Sequence, residues 1–144
     1  MKYIGAILFA AFALFAATAV AHADEQRIVI VAGADSIVKA ITAKDARRAY
    51  LGSIVVQDGV EIRPLRNLTD KLAGEVFLQK VLFMSSDAYD RQLLTRTFRG
   101  GSVPKSYDNL ADLLAALHSD NVAITYMLYE TAVNTPGIRI IGNP

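Results

Sequence analysis

Arg66-Asn67-Leu68-Thr69-Asp70-Lys71-Leu72-Ala73 stands between a strand-like run and a helical run, and its residue types are those of an anion cradle. The Thr69 hydroxyl would sit at a helix start, where free N–H groups and the helix dipole favour negative charge. Lys71 adds a mobile cation in the first turn, and Arg66 a guanidinium close by. The same residues fit a plainer role. Thr69 and Asp70 are ordinary capping residues, and the Asp70 carboxylate competes for the spot an anion would take. Ser36, after Asp35 at the end of the first strand-like run, is a second candidate contact, because open α/β sheets bind ligands at strand ends; turn chemistry explains the pair equally well. Tyr126 is a third, as a cleft-lining or a core tyrosine.

Catalysis finds less support. A hydrolytic triad needs a base beside its nucleophile. The two histidines are His22, inside the leader described below, and His118, at the end of a Leu-rich helix where a capping role suffices. Asp87 and Asp90 share a helix face at i, i+3 spacing but lie beside Arg91 and read as solvated surface. The sequence has no phosphate-loop glycine pattern, His-rich metal spacing or dinucleotide fingerprint, so neither enzyme activity nor a cofactor or metal is expected.

The elements that would position these residues alternate. Arg27 to Ala32 is a β-branched run of buried-strand type. Thr42-Ala43-Lys44-Asp45 has the form of a capping box, predicting a helix to about Leu51 that ends at Gly52. Asp58-Gly59 predicts a two-residue hairpin between SIVVQ and VEIRPL, whose second strand ends or lies at an edge at Pro64. Leu72, Ala73, Val76, Phe77, Val81 and Leu82 share one side of a helix starting near Thr69. Ser85 or Ser86 caps another helix, which runs to about Arg99 and stops at Gly100-Gly101. A third helix follows Ser106, with Leu110, Leu113, Leu114 and Leu117 as its buried stripe. VAITYML reads as a core strand after a turn at Asp120-Asn121, and IRIIG as another after Pro136-Gly137. Nothing divides the run, so a single α/β domain with a mixed sheet is expected.

Lys2, the apolar stretch from Ile4 to Val20, and Ala21-His22-Ala23 before Asp24-Glu25 have the form of a secretory signal cleaved after Ala23; the competing reading is an uncleaved membrane anchor. Cleavage would place residues 24–144 in the periplasm as one domain with no membrane segment. Without Lys2, 14 basic side chains face 14 acidic ones. No basic excess is left to hold a phosphate backbone, and nucleic acid is not an expected partner. The chain has no Cys, so disulfides, thiol chemistry and thiolate metal sites are excluded.

Ile41-Thr42, Arg47-Arg48, Tyr50-Leu51-Gly52, the hairpin, Ile62-Arg63-Pro64-Leu65, Phe77, Val81-Leu82, Phe98-Arg99-Gly100 and Ile124-Thr125-Tyr126 fall in the order and spacing of the phosphate ABC-transporter substrate-binding proteins. The chain most resembles their short, stand-alone, single-lobe members. The resemblance implies a compact mixed sheet flanked by helices, like one lobe of a type II periplasmic binding protein, in a protein of ABC-type transport. It also implies where an oxyanion would bind. Full-length members carry an Arg after the strand's Ile and Ser-Gly-Thr at the following helix start. Laid without gaps from Ile62 to Phe77, this chain has Asn67 in place of the Arg and Lys71-Leu72-Ala73 in place of Ser-Gly-Thr. Both hydroxyls are gone, and a side chain replaces the Gly that lets an anion approach the backbone. Thr125 likewise stands where the family keeps Gly. The expectation is a degenerate site for phosphate or another small oxyanion, drawn from Ser36, Arg66, Thr69, Lys71 and Tyr126. The alternative is a ligand-free accessory module of the envelope, whose partner is an envelope protein or a second copy of itself.

Overall fold

In a computed structural model, which describes residues 26–144, β1 (Ile28–Gly33) is buried along its whole length. Its two faces serve two cores. Ile28, Ile30 and Ala32 join one hydrophobic cluster, while Val29 and Val31 join the other. A run apolar at every position is what a strand covered on both sides requires. The expected signal, residues 1–23, lies outside the described residues.

Local rules place the next elements. α1 (Ala43–Tyr50) begins at Thr42, whose hydroxyl accepts the Asp45 N–H, as the capping pattern predicts. β2 (Val56–Gln57) and β3 (Val60–Glu61) form a hairpin in which Asp58 and Gly59 have φ of 50° and 79°, the two positive angles of a type I′ turn. β4 (Arg63–Asn67) follows. α2 (Lys71–Phe77) runs into a π-helical turn, Leu78–Leu82, closed by Phe83 at φ 55°. α3 (Ser86–Phe98) is capped by the Ser85 hydroxyl. β5 (Lys105–Tyr107), α4 (Leu110–Ser119), β6 (Ala123–Leu128), α5 (Tyr129–Val133) and β7 (Ile138–Gly142) complete the chain.

Five strands form one sheet in the order β5-β4-β6-β1-β7, and the hairpin stands apart. β4 is parallel to β5 and β6, whereas β1 is antiparallel to both β6 and β7, so the sheet is mixed. α1, α2 and α3 cover one face, and α4 and α5 the other.

Three sequence expectations change. The hairpin's second strand ends at Glu61, but Pro64 lies inside β4, second from the sheet edge. Arg63 donates its N–H to Val122 on the β6 side, so residue 64 would have donated toward β5, whose pairing starts only at Leu65. Proline therefore costs the ladder no hydrogen bond there. The helix expected after Ser106 starts at Leu110, capped by Asn109, because Lys105–Tyr107 pairs with β4 as a short edge strand. Leu72 and Leu110, expected on buried stripes, are exposed.

The first core is centred on Tyr50, Phe77 and Tyr126. Phe77 stacks on Tyr126 with ring centroids 3.9 Å apart, and Tyr50 meets both edge-on. The Tyr50 hydroxyl donates to the Leu65 carbonyl at 2.9 Å, and Tyr89 donates to the Tyr50 carbonyl at 2.7 Å. Burial raises the pKa of Tyr50 well above the ordinary tyrosine value, and the same cause raises Tyr89. A buried aromatic at this junction carries a large share of the stability. Phe77→Ala should cost about 3–5 kcal/mol, read from the urea midpoint. The raised tyrosine pKa values fix a sign as well. The folded state holds these protons more tightly than the unfolded chain, so their contribution is complete below the unfolded tyrosine pKa of about 10 and falls as pH rises above it. Tyr50→Phe should flatten the loss of stability between neutral and strongly alkaline pH; an unchanged alkaline slope would count against this assignment.

Candidate functional site

The carboxyl ends of β4, β5 and β6 point the same way, and the starts of α2, α4 and α5 gather there. A cleft of about 380 Å³ opens among them, lined by Asn67, Thr69, Asp70, Lys71, Leu110, Met127, Leu128 and Thr131. It is the place where an open α/β sheet presents helix N–H groups to a ligand.

Asn67 organises this end. It is 3% exposed. Its Nδ2 donates to the Tyr126 carbonyl at 2.9 Å, which ties β4 to β6. Its Oδ1 accepts twice from Thr69, from the backbone N–H at 3.0 Å and from the hydroxyl at 2.6 Å. The Tyr126 hydroxyl closes the circuit by donating to the Asn67 carbonyl at 3.2 Å. An amide side chain bonding the backbone two residues on is a standard turn device. Here it leaves the Thr69 hydroxyl proton inside the protein.

The five sequence candidates do not converge. Thr69 and Lys71 line the cleft together. Arg66 turns to the opposite face of β4, where its guanidinium lies 4.9 Å from the Tyr89 ring centre and pairs with Asp90 at 3.0 Å. Asp90 thus answers Arg66 rather than its helix neighbour Arg91. Tyr126 is a core residue, with its pKa raised by burial against the opposing positive charge of Arg66. Ser36 is at the wrong end of the sheet. Its hydroxyl donates to the Asn121 carbonyl and accepts the Val38 N–H, and Asn121 precedes β6 whereas the cleft lies beyond its far end. The strand-end rule pointed to Ser36 because it ends β1, but β1 runs antiparallel to β6 and its carboxyl end faces away.

Charge at the cleft is balanced locally. Asp70 caps α2, its carboxylate accepting the Ala73 N–H at 3.2 Å. Asp112 and Glu130 occupy the first turns of α4 and α5. Each helix start carries its own carboxylate, the charge its dipole favours. Lys71 is exposed and in no ion pair among the described residues. Thr125, where the resemblance led to Gly, is fully buried and donates its hydroxyl to the Leu65 carbonyl at 3.0 Å. His118 ends α4 with its ring packed beneath Gly137, and the neighbouring Ser119 hydroxyl donates to the Ala116 carbonyl.

The fold is that of one lobe of a type II periplasmic binding protein. Its structural neighbours include an ABC-type phosphate transport receptor from Vibrio cholerae, with a TM-score of 0.56 at 10% identity, covering 80% of this chain and 45% of that one. A protein described as a candidate phosphate ABC transporter substrate-binding protein, with bound phosphate, from Clostridium perfringens gives 0.53 at 12% identity, covering 80% and 44%. A possible phosphate binding protein from Planctomyces limnophilus gives 0.51 at 15% identity, covering 80% and 40%. The chain therefore spans less than half the length of each. No protein-family model and no curated protein matches it.

In the sequence Asn67 stands out only as the replacement for an expected Arg, yet it is the residue that organises the site. Removing its amide would strand the Thr69 donors and the Tyr126 carbonyl. Asn67→Ala should cost on the order of 3 kcal/mol and Thr69→Val about 1 kcal/mol, compared by urea denaturation.

Proposed function

We propose that this chain is an exported, solute-binding-like lobe of the cell envelope that serves oxyanion transport or its sensing as an accessory, acting by protein contact at the cleft end rather than by enclosing a solute. One observation carries this reading. The Thr69 hydroxyl and the Ala73 N–H at this helix start are already bonded to Asn67 and Asp70, while Leu68, Leu72 and Leu110, on the same segments, are exposed at 49%, 43% and 40%. Exposed apolar side chains at the end of the sheet where such folds hold ligand suit a protein partner. The periplasmic location rests on the signal-like residues 1–23, and the link to phosphate on the proteins that share the fold.

A second reading has one observation in its favour. Lys71 lines the cleft with a free ammonium beside Thr69, which suits capture of phosphate or another small oxyanion.

A photo-reactive residue placed at Leu72 in cells separates the two. The contact reading expects a discrete cross-linked product, to an envelope protein or a second copy, and none from the same probe at exposed Val56 on the hairpin. Equal products from both positions, or none from Leu72, would reject it. Capture by Lys71 instead expects millimolar phosphate to raise the melting temperature by a few degrees and Lys71→Ala to abolish the rise.

A further inference from the structure

A groove of about 570 Å³ between the ends of α1 and α3 takes no part in that function. Arg91, Arg96 and Arg99 line it with Leu51, Gln92 and Thr95, and no Asp or Glu lines it. None of the three guanidiniums joins an ion pair among the described residues, where the pairs are Arg48–Asp45, Arg63–Asp120 and Arg66–Asp90.

The ordinary reason for arginines here is the helix dipole, and magnitudes limit it. Leu51 caps the carboxyl end of α1, and Arg99 that of α3. The dipole of α3 reaches Arg96 in its last turn and Arg99 at its cap, but falls off within a turn and leaves Arg91 without this explanation.

Arg96 is held in place. Its Nε donates to the Ser102 carbonyl at 2.8 Å. A β-carbon at Gly52 would fall 2.4 Å from Nε, and one at Gly101 would fall 2.8 Å from Cγ. A side chain at either position would displace the guanidinium, so two glycines keep its seat open. Arg91 and Arg99 are exposed on either side of it.

We propose that this groove binds a tetrahedral oxyanion of the phosphate class. A seated guanidinium presents paired N–H donors to two oxygens of one anion, and two flanking guanidiniums add charge and further donors. Leu94 and Phe98 stand exposed on the outer face of the same helix, at 57% and 82%. A free phosphate and a phosphate carried by a lipid headgroup offer the groove the same chemistry; only the second would engage these apolar side chains.

Two probes test this at low ionic strength. They are inorganic phosphate by calorimetric titration, and phosphatidylglycerol-containing vesicles by co-sedimentation against phosphatidylcholine alone. The wild type is expected to bind at least one. Arg91→Gln with Arg99→Gln, both exposed and with no side-chain hydrogen bond or ion pair among the described residues, should weaken that binding about tenfold or more while the melting temperature changes little. Arg96→Lys should weaken it as well, because the charge stays but the fork is lost. Phe98→Ala should reduce vesicle binding and leave inorganic phosphate binding as it was, which tells the two sources apart. Binding of neither probe, or binding indifferent to Arg91→Gln with Arg99→Gln, would overturn the proposal.

Discussion

The buried amide of Asn67 is the constraint on which the cleft end of this molecule depends. It joins the end of β4 to β6 through the Tyr126 carbonyl and fixes the turn into α2 through both donors of Thr69. In an interior of low dielectric, each of these bonds is expensive to break without a replacement. The aromatic cluster beneath is set by the same contact. The Tyr126 hydroxyl reaches back to Asn67, its ring lies flat on Phe77, and Tyr50 closes the side. At this helix start the nearest hydroxyl is already committed to Asn67 and the Ala73 N–H to Asp70, which leaves Lys71 as the charged group without a partner among the described residues.

The distribution of charge follows from that arrangement. Carboxylates sit at the starts of α2, α4 and α5, around the cleft. Arginines in no ion pair among the described residues collect instead near the ends of α1 and α3. The three clustered guanidiniums thus lie away from the helix tips, where Lys71 is the cation. Fold and site are separable in this way because a sheet and its cores tolerate changes at strand ends that a ligand would not.

Much of the fold was legible in the sequence where the signal was local. β1 declared itself by being apolar at every position, the Thr42 and Ser85 caps by their hydroxyls, and the hairpin by Asp58-Gly59. Strand direction was not legible. Nothing in Arg27–Ala32 says that β1 runs antiparallel to β6, and the placement of Ser36 turned on that fact alone. The short strand β5 and the single-turn α5 carry too few residues for a periodic pattern, and the π-helical turn after Phe77 looks like continued helix. Within the site, Thr69 and Lys71 were found because capping chemistry is local. Asn67 carries no local signal of this role, because its partner Tyr126 is 59 residues away.

The most direct measurement is the amide spectrum of the isotopically labelled protein during titration with inorganic phosphate. If the helix tip is internally satisfied, the backbone signals of Thr69 to Ala73 and the side-chain amide of Asn67 stay fixed while phosphate rises to millimolar concentration. Saturable shifts confined to those signals would mean that the tip still holds an oxyanion, and would contradict the account.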